Sequence, residues 1–80
     1  MTPRDMANAI IAETAAAHRA TPAEVMGRNL SRRVVAARYA CIRAIDAAFD
    51  WTPSHLGRLF GRDHSTVLYA LGKLKKKPTV

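Results

Sequence analysis

Eighty residues, 49% of them apolar, make one small domain, because globular domains need about 50 to 250 residues and nothing is left for a second core. A multi-domain enzyme is excluded. The formal net charge is +7, and residues 1–27 supply none of it, since Arg4 and Arg19 there face Asp5, Glu13 and Glu24; a polyanionic partner is expected to meet the last two thirds of the chain.

Fifteen alanines against two Phe, two Tyr and one Trp favour helices over strands and close packing between them. Three Thr-Pro pairs, Thr2-Pro3, Thr21-Pro22 and Thr52-Pro53, read as helix starts. Threonine accepts from an orphan N–H, and proline suits the first helical position, where no donor is needed. Asp5 and Glu24 each stand three residues after a cap threonine and complete capping boxes. The first helix is predicted from Pro3 to His18, with either Met6, Ile10, Thr14 and Ala17 or Met6, Ala9, Ile10 and Glu13 as its buried face. A short second helix from Pro22 to Met26 stops at Gly27. Residues 28–33 form a basic loop with Arg28, Arg32 and Arg33 solvated and Ser31 as a candidate cap.

A long third helix, Arg32 to Phe49, carries Val34, Val35, Arg38, Cys41, Ile42, Ile45, Ala48 and Phe49 at spacings of three and four, the period of a buried stripe. Arg38, on its edge, is expected to snorkel. A fourth helix from the Thr52 cap to Phe60 turns Leu56, Leu59 and Phe60 inward, and Gly61 breaks it. The last helix is predicted from Asp63 through Leu74 on a stripe of Val67, Leu68, Leu71 and Leu74, with fraying lysines beyond. A short helix, a glycine turn and a longer helix with a polar first turn make a helix-turn-helix. The expected fold class is therefore all-α: a small bundle of about five helices containing a helix-turn-helix, one domain over residues 1–80.

Little in the chain supports catalysis. Neither GxxxxGK[ST] nor GxGxxG occurs, and Gly27, Gly57, Gly61 and Gly72 are dispersed. His18, His55, His64 and Cys41 lack zinc-ligand spacing. Asp63, His64 and Ser65 point in different directions on one helical turn and cannot relay a proton in series. No enzyme, cofactor or metal is expected. Single Cys41 permits no internal disulfide and reads as a small buried hydrophobe, and no apolar run approaches ~18 residues, so the chain reads as cytoplasmic. Trp51 reads as a packing residue before the Thr52 cap.

Arg62, Asp63, His64, Ser65 and Thr66 fit better as a readout surface at the start of a recognition helix, within reach of base edges and phosphates. Asp63 has a second reading as a plain N-cap, and Arg62 as a solvated side chain.

From Gly57 through Ala70, with Lys73-Leu74 after it, the chain resembles the C-terminal DNA-binding domain of the bacterial chromosomal replication initiator DnaA, and the segments back to His18 follow that domain's order. The resemblance implies a Trp-repressor-like helix-turn-helix, double-stranded DNA as partner, a place at the bacterial nucleoid, Asp63, His64, Ser65 and Thr66 in the major groove and Lys73 on the backbone. Arg62 joins the base-contacting set; Arg28, Arg32, Arg33 and Ser54 join Lys73 as backbone or minor-groove candidates. Three departures stand out. Gly61 is alone where the family has two glycines, which implies a re-aimed recognition helix. Ser65 replaces the usual threonine and its methyl, and Leu30 aligns with the arginine that the family sends into the minor groove, leaving Arg28, Arg32 or Arg33 as substitutes.

Initiators carry an ATPase module that these residues do not contain, and Met1 directly before the Thr2-Pro3 cap reads as a natural start. The expected role is thus a stand-alone regulator of transcription or a competitor at initiator-box-like sites. The rival class is an interaction or anionic-membrane-surface adaptor, with residues 3–18 on a partner helix and Lys73–Lys77 on lipid, although interfacial helices favour Trp and Phe that this face lacks.

Overall fold

All three Thr-Pro pairs start helices. In the computed structural model, which describes residues 2–72, the chain forms α1 (Pro3–Ala17), α2 (Pro22–Met26), α3 (Arg32–Ala48), α4 (Pro53–Phe60) and α5 (His64–Ala70). Thr2 with Asp5 and Thr21 with Glu24 close reciprocal capping boxes at 3.0–3.1 Å, while Thr52 Oγ1 alone caps α4 by accepting from His55 N–H at 3.1 Å. Ser31 makes no side-chain cap on α3. The end of α1 is fastened by Arg19 in the left-handed region, φ 59°, which lets Ala20 N–H reach the Ala15 carbonyl at 2.8 Å as in a Schellman motif.

The buried face of α1 differs from both sequence-based expectations. Ala7, Ile11 and Ala15 are buried while Met6 is 45% exposed. α1 lies along α3, and small side chains at a spacing of four let the two backbones approach where Met would hold them apart. One face of the segment that the rival reading gives to a partner helix is therefore used inside the domain. Between the two helices the buried Cys41 thiol donates to the Ile11 carbonyl at 3.7 Å, and burial pushes it up to about 11, so it stays protonated and unreactive.

Helix α3 is the central element, touching α1, α2 and α5. Its buried stripe is Val34, Ala37, Arg38, Cys41, Ile42 and Ile45; Val35 and Phe49 are half-buried and Ala48 is exposed. Leu56 and Phe60 of α4, with Val67 and Ala70 of α5, complete the core. Leu59 and Leu71 pack half-buried at its edge, and Leu68 is half-buried. Trp51 packs as expected before α4, its ring stacked on Phe49 at 4.4 Å and on His55 at 4.3 Å.

The last helix is shorter than its apolar pattern predicts. α5 ends at Ala70, because Gly72 takes φ 73° and turns the chain out of helical register. Lys73, Leu74 and the lysines from 75 onward lie outside the described residues.

Acid should loosen the α1–α2 end first. The Thr2 backbone N–H and hydroxyl hold Asp5 below its ordinary value, and Arg33 foremost, then the Thr21 backbone, does the same for Glu24. A carboxyl with a depressed folded pKa contributes stability above its unfolded pKa and loses it as pH falls through the folded value. The melting temperature is expected to hold from pH 7 to about 5 and fall below about 4, and Glu24→Gln should flatten that fall. A Glu24→Gln profile parallel to the wild type would contradict this coupling.

Candidate nucleic-acid interface

Two glycines shape the turn between α4 and α5, for different reasons. Gly61 sits at φ 64° and ends α4, and the left-handed step lets Arg62 N–H return to the Gly57 carbonyl at 2.8 Å. Gly57 is needed for contact. A Cβ there would stand 2.7 Å from the Arg62 carbonyl oxygen and 3.5 Å from His64 N, so the start of α5 rests directly on the α4 backbone. Asp63 is extended, and Thr66 N–H donates to its carbonyl at 3.0 Å to open α5.

Around this turn the five polar residues separate into two groups. Asp63, His64 and Ser65 are exposed and Thr66 is half-buried on the outer side of the first turn of α5. The Asp63 side chain makes no cap hydrogen bond. That side chain is 72% exposed, and among the described residues the carboxylate faces only His64 Nδ1, at 3.5 Å. Arg62 turns the other way. Its Nη2 donates to the Gly27 carbonyl, and its buried Nε has no partner among the described residues.

Arg38 converges on the same carbonyl. Expected to snorkel, it is 3% exposed and spreads its guanidinium over four backbone oxygens: Val25 through Nε at 2.8 Å, and Glu24, Gly27 and Asn29 through Nη2 at 3.0–3.2 Å. A five-residue helix has almost no internal partners for its last carbonyls, and this arginine supplies them. Burial and then the Arg62 charge lower its pKa from the ordinary value. No carboxylate pairs with it among the described residues. Arg38 and Arg62 together tie the basic loop to the helix-turn-helix.

The loop arginines divide as well. Arg33, expected to be solvated, forms a two-pronged bond to Glu24 at 3.1 Å on each arm, which raises its pKa, and also donates to the Arg19 carbonyl at 2.5 Å. Arg28 and Arg32 are exposed and have no ion-pair partner among the described residues. Ser54 is exposed in the first turn of α4, and Lys73 lies outside the described residues. A cleft of about 670 Å³ between loop and turn is lined by Arg28, Leu30, Arg62, Asp63 and Thr66 among others.

Sequence reasoning missed the roles of Arg38 and Gly57. One signal was present for Arg38: a charge on a buried stripe with apolar residues one turn away on either side, Val34 and Ile42, must find its partners off its own helix.

A short helix, a left-handed glycine turn and a second helix seated on a glycine of the first define a helix-turn-helix domain. Residues 7–74 match the family described as bacterial dnaA protein helix-turn-helix. The chain belongs to that family. The chromosomal replication initiator protein DnaA of Deinococcus radiodurans is 32% identical over 68 residues, which cover 85% of this chain and 15% of that protein. The chain thus spans a small part of its relative's length. No solved structure matches it.

Proposed function

We propose that the protein binds double-stranded DNA in a sequence-specific manner, laying α5 in the major groove with Asp63, His64, Ser65 and Thr66 at base edges. Arg28, Arg32, Ser54 and Lys73 serve the backbone or the neighbouring minor groove. Arg62 and Arg33 belong to the same surface, but each must first leave an internal partner, the Gly27 carbonyl or Glu24. These residues contain no phosphate-binding loop, so binding should not respond to ATP. The biological role that follows is a regulator, or a competitor for initiator-box-like sites, acting at the nucleoid; displacement of an initiator from its own sites would test it.

The observation that carries this reading is the exposed Asp63 carboxylate, which makes no cap bond. An acid at the front of a recognition helix in a protein of charge +7 weakens generic attraction to phosphate, and helix capping does not explain it because no cap bond is made. Acceptance of a hydrogen bond from a cytosine amino group does. Duplexes selected from a random pool should yield one preferred site, with affinity falling steeply as salt rises. On that site Asp63→Asn should lose about 1–3 kcal/mol of discrimination at one base pair while binding random duplexes as well or better. Because no cap bond is at stake, Asp63→Ala should melt within about 0.5 kcal/mol of the wild type. Unchanged preference among single-base variants in Asp63→Asn would remove the residue from the readout surface.

A further inference from the structure

We propose that Leu30 is an apolar wedge, entering the minor groove beside the major-groove segment taken by α5 and opening a base step there; the proposal rests on the DNA-binding reading above. Isolated exposed apolar side chains are ordinary on protein surfaces, but Leu30 differs in exposure, tethering and company. It is 78% exposed, against 37–58% for the other exposed large apolar residues. The loop that presents it is fastened at Asn29 and closed there by a local turn. The Asn29 carbonyl accepts from buried Arg38 at 3.0 Å, and Ser31 N–H donates to Asn29 Oδ1 at 2.8 Å, so Leu30 is held outward at small further loss of freedom on binding.

Leu30 also lines one cleft with Asp63 and Thr66. An α-helix fills the major groove, which is about 12 Å wide, so a loop alongside α5 lies over the flanking phosphates and the next minor groove. Exposed Arg28 and Arg32 stand two positions to either side of Leu30, suited to the two phosphate walls of that groove. Between them the leucine has no polar atom to offer a base edge. Its favourable contact is with sugar and base faces, and an apolar side chain placed there unstacks a step and bends the duplex. Pyrimidine–purine steps, the easiest to unstack, should be preferred under the loop.

The test places 2-aminopurine at successive positions flanking the selected site and reads its fluorescence on binding. Wild-type protein should raise the signal at one step. Leu30→Ala should abolish the rise and weaken binding about tenfold, with the base preference assigned to Asp63 intact; Leu30→Met should keep both the rise and the affinity. Leu30 is exposed, so all variants should melt with the wild type. Specific binding without a rise at any flanking step overturns the wedge alone, as does a Leu30→Ala protein that keeps the rise and the affinity. A wild type with no preference among duplexes overturns the DNA-binding reading and the wedge together.

Discussion

Arg38→Met is expected to cost about 3 kcal/mol of stability, a fall in melting temperature of about 12–24 °C for a domain of this size. Methionine keeps much of the side chain's volume, so the loss isolates the hydrogen bonds. Removing one partner of a buried bond leaves the other unsatisfied at about 1–3 kcal/mol. Here the partners left behind are the carbonyls of Val25, Glu24, Gly27 and Asn29, which are backbone and cannot be replaced by apolar groups; Glu24 still accepts from Gly27 N–H and Gly27 from Arg62, so the loss falls mainly on Val25 and Asn29. The three outer ones are only part-buried and can turn to water, which is why the expected loss is well below a sum over all four. Lysine should rescue little, since one ammonium cannot span oxygens that a planar guanidinium reaches from several N–H groups. A variant within about 1 kcal/mol of the wild type would show that the carbonyls find water unaided. Loss of Arg38 should also weaken DNA binding, because it frees the loop that presents Arg28, Leu30 and Arg32.

Gly57→Ala should act on the recognition helix more than on the fold as a whole. The added Cβ would meet the Arg62 carbonyl oxygen at 2.7 Å, a contact that only movement of the turn can relieve. Overpacking of this kind costs about 1–3 kcal/mol, reduced by up to about 1 kcal/mol because alanine is the better helix former. The net loss of stability is therefore modest. The displaced start of α5 carries His64, whose N lies 3.5 Å from the same position, so base discrimination should collapse while salt-dependent binding to any duplex survives. Gly61→Ala makes the contrast. Nothing lies within 4 Å of its Cβ position, and only the left-handed φ of 64° opposes the change, so it should cost about 1 kcal/mol and leave discrimination in place. The reverse ranking of the two variants for base discrimination would mean that turn conformation, not the seat on Gly57, aims α5.

Helix starts, and every stop but that of α5, were legible to within a residue because the forces that set them act within about four positions: a threonine hydroxyl on the third N–H, an acid returning to the cap, a glycine at positive φ. The helix-turn-helix was legible on the same grounds, as were Cys41 and Trp51 as packing residues. The polar cluster at the start of α5 was visible too, but not its division into outward Asp63, His64, Ser65 and Thr66 and inward Arg62.

What only the tertiary structure decided involves partners far apart in the chain. Which face of α1 is buried depended on how closely α3 could approach, and an alanine-rich helix has several faces of similar hydrophobicity, so Met6 and Ile10 were as plausible as Ala7 and Ile11. Arg38 finds its carbonyls 9–14 positions back, and Arg62 reaches one 35 positions away; no periodicity in the sequence records either. The end of α5 is the exception, a local signal from Gly72 that the apolar pattern running on to Leu74 concealed. Composition, capping and breaker residues thus determined the order and class of the elements, because those preferences are local and additive. Packing decided which arginines stay exposed and which serve the protein's own backbone, because a guanidinium goes to whichever unpaired acceptors the folded chain brings within reach.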